Sequence, residues 1–266
     1  MSKNGIGKDN VQSTVLTIKG LRYRVLHGEL EKEGRKTLLV HGLGSNARVW
    51  ELVAERLLQR DMLPVFPDLR GHGLSDKPET GYDFASMSSD LAALIQELDL
   101  ERPLIVGHSW GAVLAVDYAA RFADHEASPG GIVLVDGGMA QLDDYPGATW
   151  ELARQALTPP RWAGMSVEDF IARLREPSRS WQPDDRSLDT ILASFEITEQ
   201  RKIYPHMPFE RYMQIIEMLW EFRNYERFEQ IRCPVLMLPV RPPKQAPMRD
   251  QVHATLKQTG IDRARA

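Results

Sequence analysis

Short apolar runs alternate with longer amphipathic stretches through the first half of the chain, and few folds accept that alternation. An apolar run bounded by turn residues is a strand buried on both faces, and the stretch joining two such strands is the helix that crosses between them. The runs fall at residues 15–18, 21–27, 37–40, 62–66, 103–106, 131–135 and 234–240. Between them, 85–98 places Leu91, Leu94, Ile95 and Leu98 on one helical face, and 110–122 reads as a buried, Ala-rich helix. The pattern predicts an α/β fold, a mostly parallel sheet with helices on both faces.

The alternation stops after about Gln141 and returns near Gln230, with no strand signal between. Ser166-Val-Glu-Asp169 resembles a capping box ahead of Phe170, Ile171 and Leu174. Pro208 can open a helix on which Phe209, Tyr212, Ile216, Leu219 and Trp220 recur at helical spacing. The expected organisation is a core of residues 1–140 and 231–266 interrupted by a helical cap, 141–230. Twelve of the 21 aromatic residues lie between Trp150 and Phe228, so this insertion either builds its own small core or presents an aromatic face to an apolar pocket.

Composition narrows the function. The 266 residues carry 33 Lys and Arg against 37 Asp and Glu, a formal net charge of −4, which gives no general pull toward nucleic acid or anionic lipid. No stretch approaches the roughly 20 apolar residues of a membrane span, and the first residues lack the apolar segment of a signal peptide. The single cysteine, Cys233, allows neither an intramolecular disulfide nor a multi-cysteine metal site. The expectation is a cytoplasmic protein with a small-molecule substrate, no nucleic-acid or membrane partner, and neither cofactor nor metal; oligomeric state is left open.

The chemistry concentrates in Gly107-His108-Ser109-Trp110-Gly111, which follows the apolar run PLIV and precedes a helix. This is the context of a nucleophile elbow, where a sharp strand-to-helix turn lifts a serine above the sheet. The start of the helix favours negative charge developing there. His41-Gly42-Leu43-Gly44 ends an earlier strand, where a turn can aim the Leu43 N–H at the same point as the Trp110 N–H. Two such donors would stabilise an oxyanion.

In order, VHGLGSNARVW, PDLRGHGLSDKP, IVGHSWGAVLAVDYA and IVLVDGG resemble the α/β-hydrolase superfamily with a helical cap after the sixth strand. The resemblance is specific over residues 36–138 and returns at RCPVLML. It lies in the branch that holds epoxide hydrolases, haloalkane dehalogenases, carbon–carbon bond hydrolases and esterases. In epoxide hydrolases and dehalogenases the elbow carries Asp; here it carries Ser109, which implies acyl transfer. Asp68, Arg70 and His72 are then scaffold.

A serine needs a base, and the base an orienting carboxylate. The resemblance puts the acid after the seventh or the sixth strand. No acidic residue follows VLMLPV until Asp250, so Asp136 is the candidate, either as catalytic acid or as a structural anchor for the cap. The family's histidine stands on a loop after an eighth strand, and none of the seven histidines has that position. His253 is the one weak candidate, in a stretch that reads as a single helix over 249–266. Too few residues follow Val240 for an eighth strand, a histidine loop and a final helix, so the core is expected to be C-terminally incomplete, its seventh strand an unpaired edge. The expected function is a carboxylesterase-like serine hydrolase working through an acyl-enzyme, though a poor catalyst. A carbon–carbon hydrolase or haloperoxidase would use the same parts, and a catalytically impaired ligand-binding member would keep only the pocket.

Overall fold

The structure, a computed structural model, describes residues 11–177, 181–240 and 248–265. An antiparallel pair, β1 (Gln12–Ile18) and β2 (Leu21–His27), opens the chain and leads into β3 (Arg35–Val40). Then follow α1 (Glu51–Leu58), β4 (Met62–Pro67), α2 (Phe84–Glu97), β5 (Leu104–His108), α3 (Trp110–Arg121) and β6 (Gly131–Val135). The insertion carries α4 (Trp150–Leu157), β7 (Met165–Ser166), α5 (Val167–Leu174), α6 (Asp185–Leu192), β8 (Phe195–Ile197), β9 (Lys202–Pro205), α7 (Phe209–Glu221) and α8 (Asn224–Phe228). The chain then returns to the sheet with β10 (Val235–Leu238) and ends in α9 (Met248–Arg265).

The main sheet has the order β1-β2-β4-β3-β5-β6-β10. From β4 to β10 every pairing is parallel, and these are the continuous apolar runs of the sequence. Leu38, Leu39, Val40 and Ile105 are fully buried at its centre. All residues of α3 from Trp110 to Ala120 are buried, and its alanines let the helix lie close to the strands it joins. Asp83 starts α2 by accepting the Ser86 N–H at 2.8 Å, as an N-cap carboxylate does.

The insertion corrects one expectation. It is not purely helical, since β7, β9 and β8 form a second, antiparallel sheet. These strands are two to four residues long, too short to show a period of two. Its aromatics do not all serve one core. Phe170 packs with Val167, Ile203, Trp162 and Phe195 in a small core of the cap itself, whereas Ile215 and Phe222 join the main core. Phe222 meets Phe84 with ring centres 4.3 Å apart. Ser166 does cap α5, accepting the Asp169 N–H at 3.1 Å, and Pro208 opens α7.

The C-terminal stretch is one helix, as its composition suggests. Among the described residues nothing pairs with the outer edge of β10, where Leu236 and Leu238 are about half exposed (54% and 46%).

Asp68, just past β4, ties the loops above the sheet together. Fully buried, its carboxylate accepts the Ala47 N–H at 2.7 Å, the Leu74 N–H at 2.8 Å and Arg24 Nε at 2.6 Å. Removing it strands a largely buried guanidinium and two amides. Asp68→Ala is therefore expected to lose about 3–5 kcal/mol in urea unfolding; a loss below about 1 kcal/mol would show the carboxylate to be incidental.

Candidate active site

Ser109 is the whole connection between β5 and α3, and it stands at φ 54°, ψ −120°. An L-residue keeps that conformation only where its surroundings impose it. The Ser109 N–H donates to Val135 O of the next strand at 2.9 Å, and the Ser109 carbonyl accepts the Ala112 N–H at 3.0 Å. The flanking glycines answer a need for space. A Cβ on Gly111 would stand 2.5 Å from the carbonyl oxygens of both Val40 and His41, and one on Gly107 would run into the Gly111 carbonyl. Ser109 itself is exposed.

The turn after β3 lies beside it. A Cβ on Gly42 would be 3.4 Å from Ser109 Cβ and 3.3 Å from His108 Nδ1. His41 sets the direction of this turn. The Leu69 N–H donates to His41 Nε2 at 3.1 Å, so the imidazole proton is on Nδ1, which donates to Gly42 O at 2.8 Å. The Ser45 N–H adds a second bond to the same carbonyl, 3.2 Å. In a trans peptide the C=O and the following N–H point opposite ways. Fixing the Gly42 carbonyl therefore fixes the Leu43 N–H. The Trp110 N–H lies in the first turn of α3, where no intrahelical acceptor exists. Among the described residues neither the Leu43 nor the Trp110 N–H donates to a protein acceptor, which leaves both available to a developing oxyanion.

The three turn motifs meet beneath the serine. His41 and His72 contact edge to face, ring centres 4.8 Å apart, and His72 stacks on Trp110 at 5.5 Å. His72 Nδ1 donates to Arg70 O at 2.9 Å, while its buried Nε2 has no partner among the described residues. Arg70 joins Asp90 at 2.7 Å, and Asp90 also accepts the buried Tyr23 hydroxyl. Asp68, Arg70 and His72 thus hold the loops in place.

Asp136 follows β6 at φ 52°, and the adjoining Gly137 packs on the backbone of Ser109. Its carboxylate is engaged by two donors, the Val240 N–H at 3.1 Å and the ammonium of Lys257 from α9. Lys257 is almost fully buried, its side chain 7% exposed. Desolvation lowers the His108 pKa, Asp136 opposes the shift and Lys257 adds to it.

His253 is exposed, one turn before Lys257 on α9, and its ring is hydrogen-bonded to the Tyr145 hydroxyl. No hydrogen bond joins a histidine to Ser109 Oγ among the described residues. His27 is occupied in the scaffold, with Thr14 Oγ1 on Nε2 at 2.9 Å and Gly28 O on Nδ1 at 2.7 Å. Sequence reasoning missed Lys257 and Tyr145. The only available signal was the four-residue spacing of His253 and Lys257, which puts both on one helical face. Among the described residues no group of three or more His, Cys, Asp or Glu side chains could hold a metal ion, and no helix is long and apolar enough to cross a membrane.

Burial holds the His41 and His72 pKa values below the ordinary histidine value. Each ring therefore holds fewer protons in the folded chain than in the unfolded chain, which takes them up below about 6.5. The unfolded state then binds more protons, so stability is complete above that pH and falls as pH drops below it, by up to about 1.4 kcal/mol per unit for each ring. The urea midpoint should begin to decline as pH falls below about 6.5, and less steeply in His72→Gln than in the parent; a profile flat through that onset, or one unchanged by the substitution, would contradict the assignment.

Residues 37–263 match the family described as Alpha/beta hydrolase family. Among curated relatives, 2-(acetamidomethylene)succinate hydrolase of Mesorhizobium japonicum is 44% identical over 91 residues, 34% of this chain and 32% of that protein. AB hydrolase superfamily protein YisY of Bacillus subtilis is 32% identical over 159 residues, 56% of this chain and 58% of that protein. The chain thus spans less than two thirds of either, and about a third of the first. In structure, E-2-(acetamidomethylene)succinate hydrolase superposes with a TM-score of 0.69 at 24% identity, covering 94% of this chain and 88% of that one. The thioesterase domain from the curacin biosynthetic pathway gives 0.67 at 21%, covering 94% and 90%; at these identities the likeness is one of fold. With the match spanning residues 37–263 and the sheet order to go with it, the chain belongs to the alpha/beta hydrolase family.

Proposed function

We propose that this chain is a serine hydrolase of a small or medium ester or similar acyl compound, working through an acyl-enzyme on Ser109. The observation that carries the reading is the imposed backbone of Ser109 beside two amides, Leu43 and Trp110, that have no protein acceptor among the described residues. Ser109 Oγ attacks the acyl carbon while its hydroxyl proton passes to solvent water, and the carbonyl oxygen becomes an oxyanion facing the Leu43 and Trp110 N–H groups. Collapse of this intermediate breaks the bond to the leaving group, which departs with a proton from water, and leaves the acyl ester on Ser109, which a second water then hydrolyses. Asp136 serves as the acid beside the site, and its bond to Lys257 means that no histidine is oriented by that oxygen in the described structure. The relatives named as hydrolases support a hydrolytic reaction; acyl chemistry, the substrate's identity and the carboxylesterase assignment belong to this proposal.

The test separates nucleophile from turnover. A fluorophosphonate probe should label the protein, and Ser109→Ala should abolish labelling. Hydrolysis of p-nitrophenyl acetate should be measurable, dependent on Ser109 and slow, because loss of a positioned base costs up to about 10⁶ in kcat in a serine hydrolase. Absence of labelling would leave a pocket used only for binding and would overturn the reading.

A further inference from the structure

We propose that Asn46 is a positioning residue that ties the oxyanion turn to the cap, so that the aim His41 gives the Leu43 N–H is kept only while the cap is seated. The inference rests on the Ser109 hydrolase reading. Asn46 is fully buried two residues past the HGLG turn. Its Oδ1 accepts the Arg48 N–H at 2.9 Å and so starts the short 3-10 helix Ala47–Trp50. Its Nδ2 points the other way, into the cap, donating to Thr190 O at 3.0 Å and to Ser194 Oγ at 2.8 Å. One amide thus shapes the turn from inside and bonds two cap residues roughly 145 positions away in the chain.

Other contacts repeat the connection. Arg48 reaches Asp189 of α6 at 2.9 Å while holding Glu51 at 2.6 Å, and Arg186 of α6 pairs with Glu55 of α1. On the other side of the turn, the Tyr212 ring of α7 covers Gly44, where an added Cβ would stand 3.1 Å from Tyr212 Cε2. From below, Asp68 takes the Ala47 N–H. The turn that carries Leu43 is therefore gripped by the core on one face and by two cap helices on the other. Lifting the cap leaves Asn46 Nδ2 without its acceptors and uncovers Gly44. An oxyanion donor works only at close range, and a misplacement of about 1 Å costs on the order of 10² in rate.

Two variants approach the contact from opposite sides. Asn46→Asp keeps the acceptor for Arg48 N–H but loses both donations to the cap; Ser194→Ala removes one cap acceptor with little risk to folding. Arg201→Gln is the control, since it breaks an exposed pair with Glu168 inside the cap and leaves the turn alone. The measurements are the second-order rate of fluorophosphonate labelling of Ser109 and amide hydrogen exchange at 42–45 and in α6. Asn46→Asp should label about 30- to 100-fold more slowly, Ser194→Ala severalfold more slowly, and Arg201→Gln at the parent rate. In the first two, exchange should rise together at 42–45 and in α6. Parent-rate labelling by Asn46→Asp, or faster exchange in α6 with 42–45 unchanged, would overturn the proposal. If the parent chain does not label, the hydrolase reading fails, and the exchange pattern still decides the coupling.

Discussion

The backbone of Ser109 is the constraint on which the rest depends. A serine at φ 54°, ψ −120° costs about 1–3 kcal/mol relative to a relaxed residue, and three neighbours compel it. The β5 strand arrives at a fixed height, set by its pairing with β3 and β6. The α3 helix leaves at a fixed angle, because all its residues through Ala120 are buried. The Gly111 backbone then slides under the carbonyls of Val40 and His41 with no room for a side chain. The strain is held by the central core together with the backbone of His41 and Gly137, which packs against the turn.

The loops around the serine are held differently, by buried polar groups with specified partners. Asp68 collects two amides and a guanidinium. His41, kept neutral by burial, reads out the Leu69 N–H and orients the Gly42 carbonyl. Each group is costly to bury alone and favourable when its partners are complete. That dependence makes the arrangement specific. The ring contacts of His72, edge to face with His41 and stacked on Trp110, then join the three motifs into one floor.

What was legible in the sequence follows from these physical differences. The parallel strands could be read because both faces of β3, β5 and β6 are covered, which forces continuous apolar runs. The elbow could be read because strand, glycines and helix are contiguous. The cap sheet could not, since Met165–Ser166 and Phe195–Ile197 are too short for any period and Ile203 is the one fully buried side chain of β9. Nor could the bond between Asp136 and Lys257, or that between Asn46 and Thr190, because each joins residues more than 100 positions apart. The residues of the three motifs are neighbours in space. The groups that tie this floor to the cap and to α9 carry no local pattern.

The central claim is that the Ser109 turn presents a nucleophile and two preorganised amides to one point. The most direct measurement is a crystal structure of the chain after reaction with a fluorophosphonate. The account predicts phosphorus bonded to Ser109 Oγ, with one phosphoryl oxygen about 2.7–3.1 Å from both the Leu43 and the Trp110 nitrogens. A phosphoryl oxygen turned to solvent, with either amide bonded elsewhere, would contradict it.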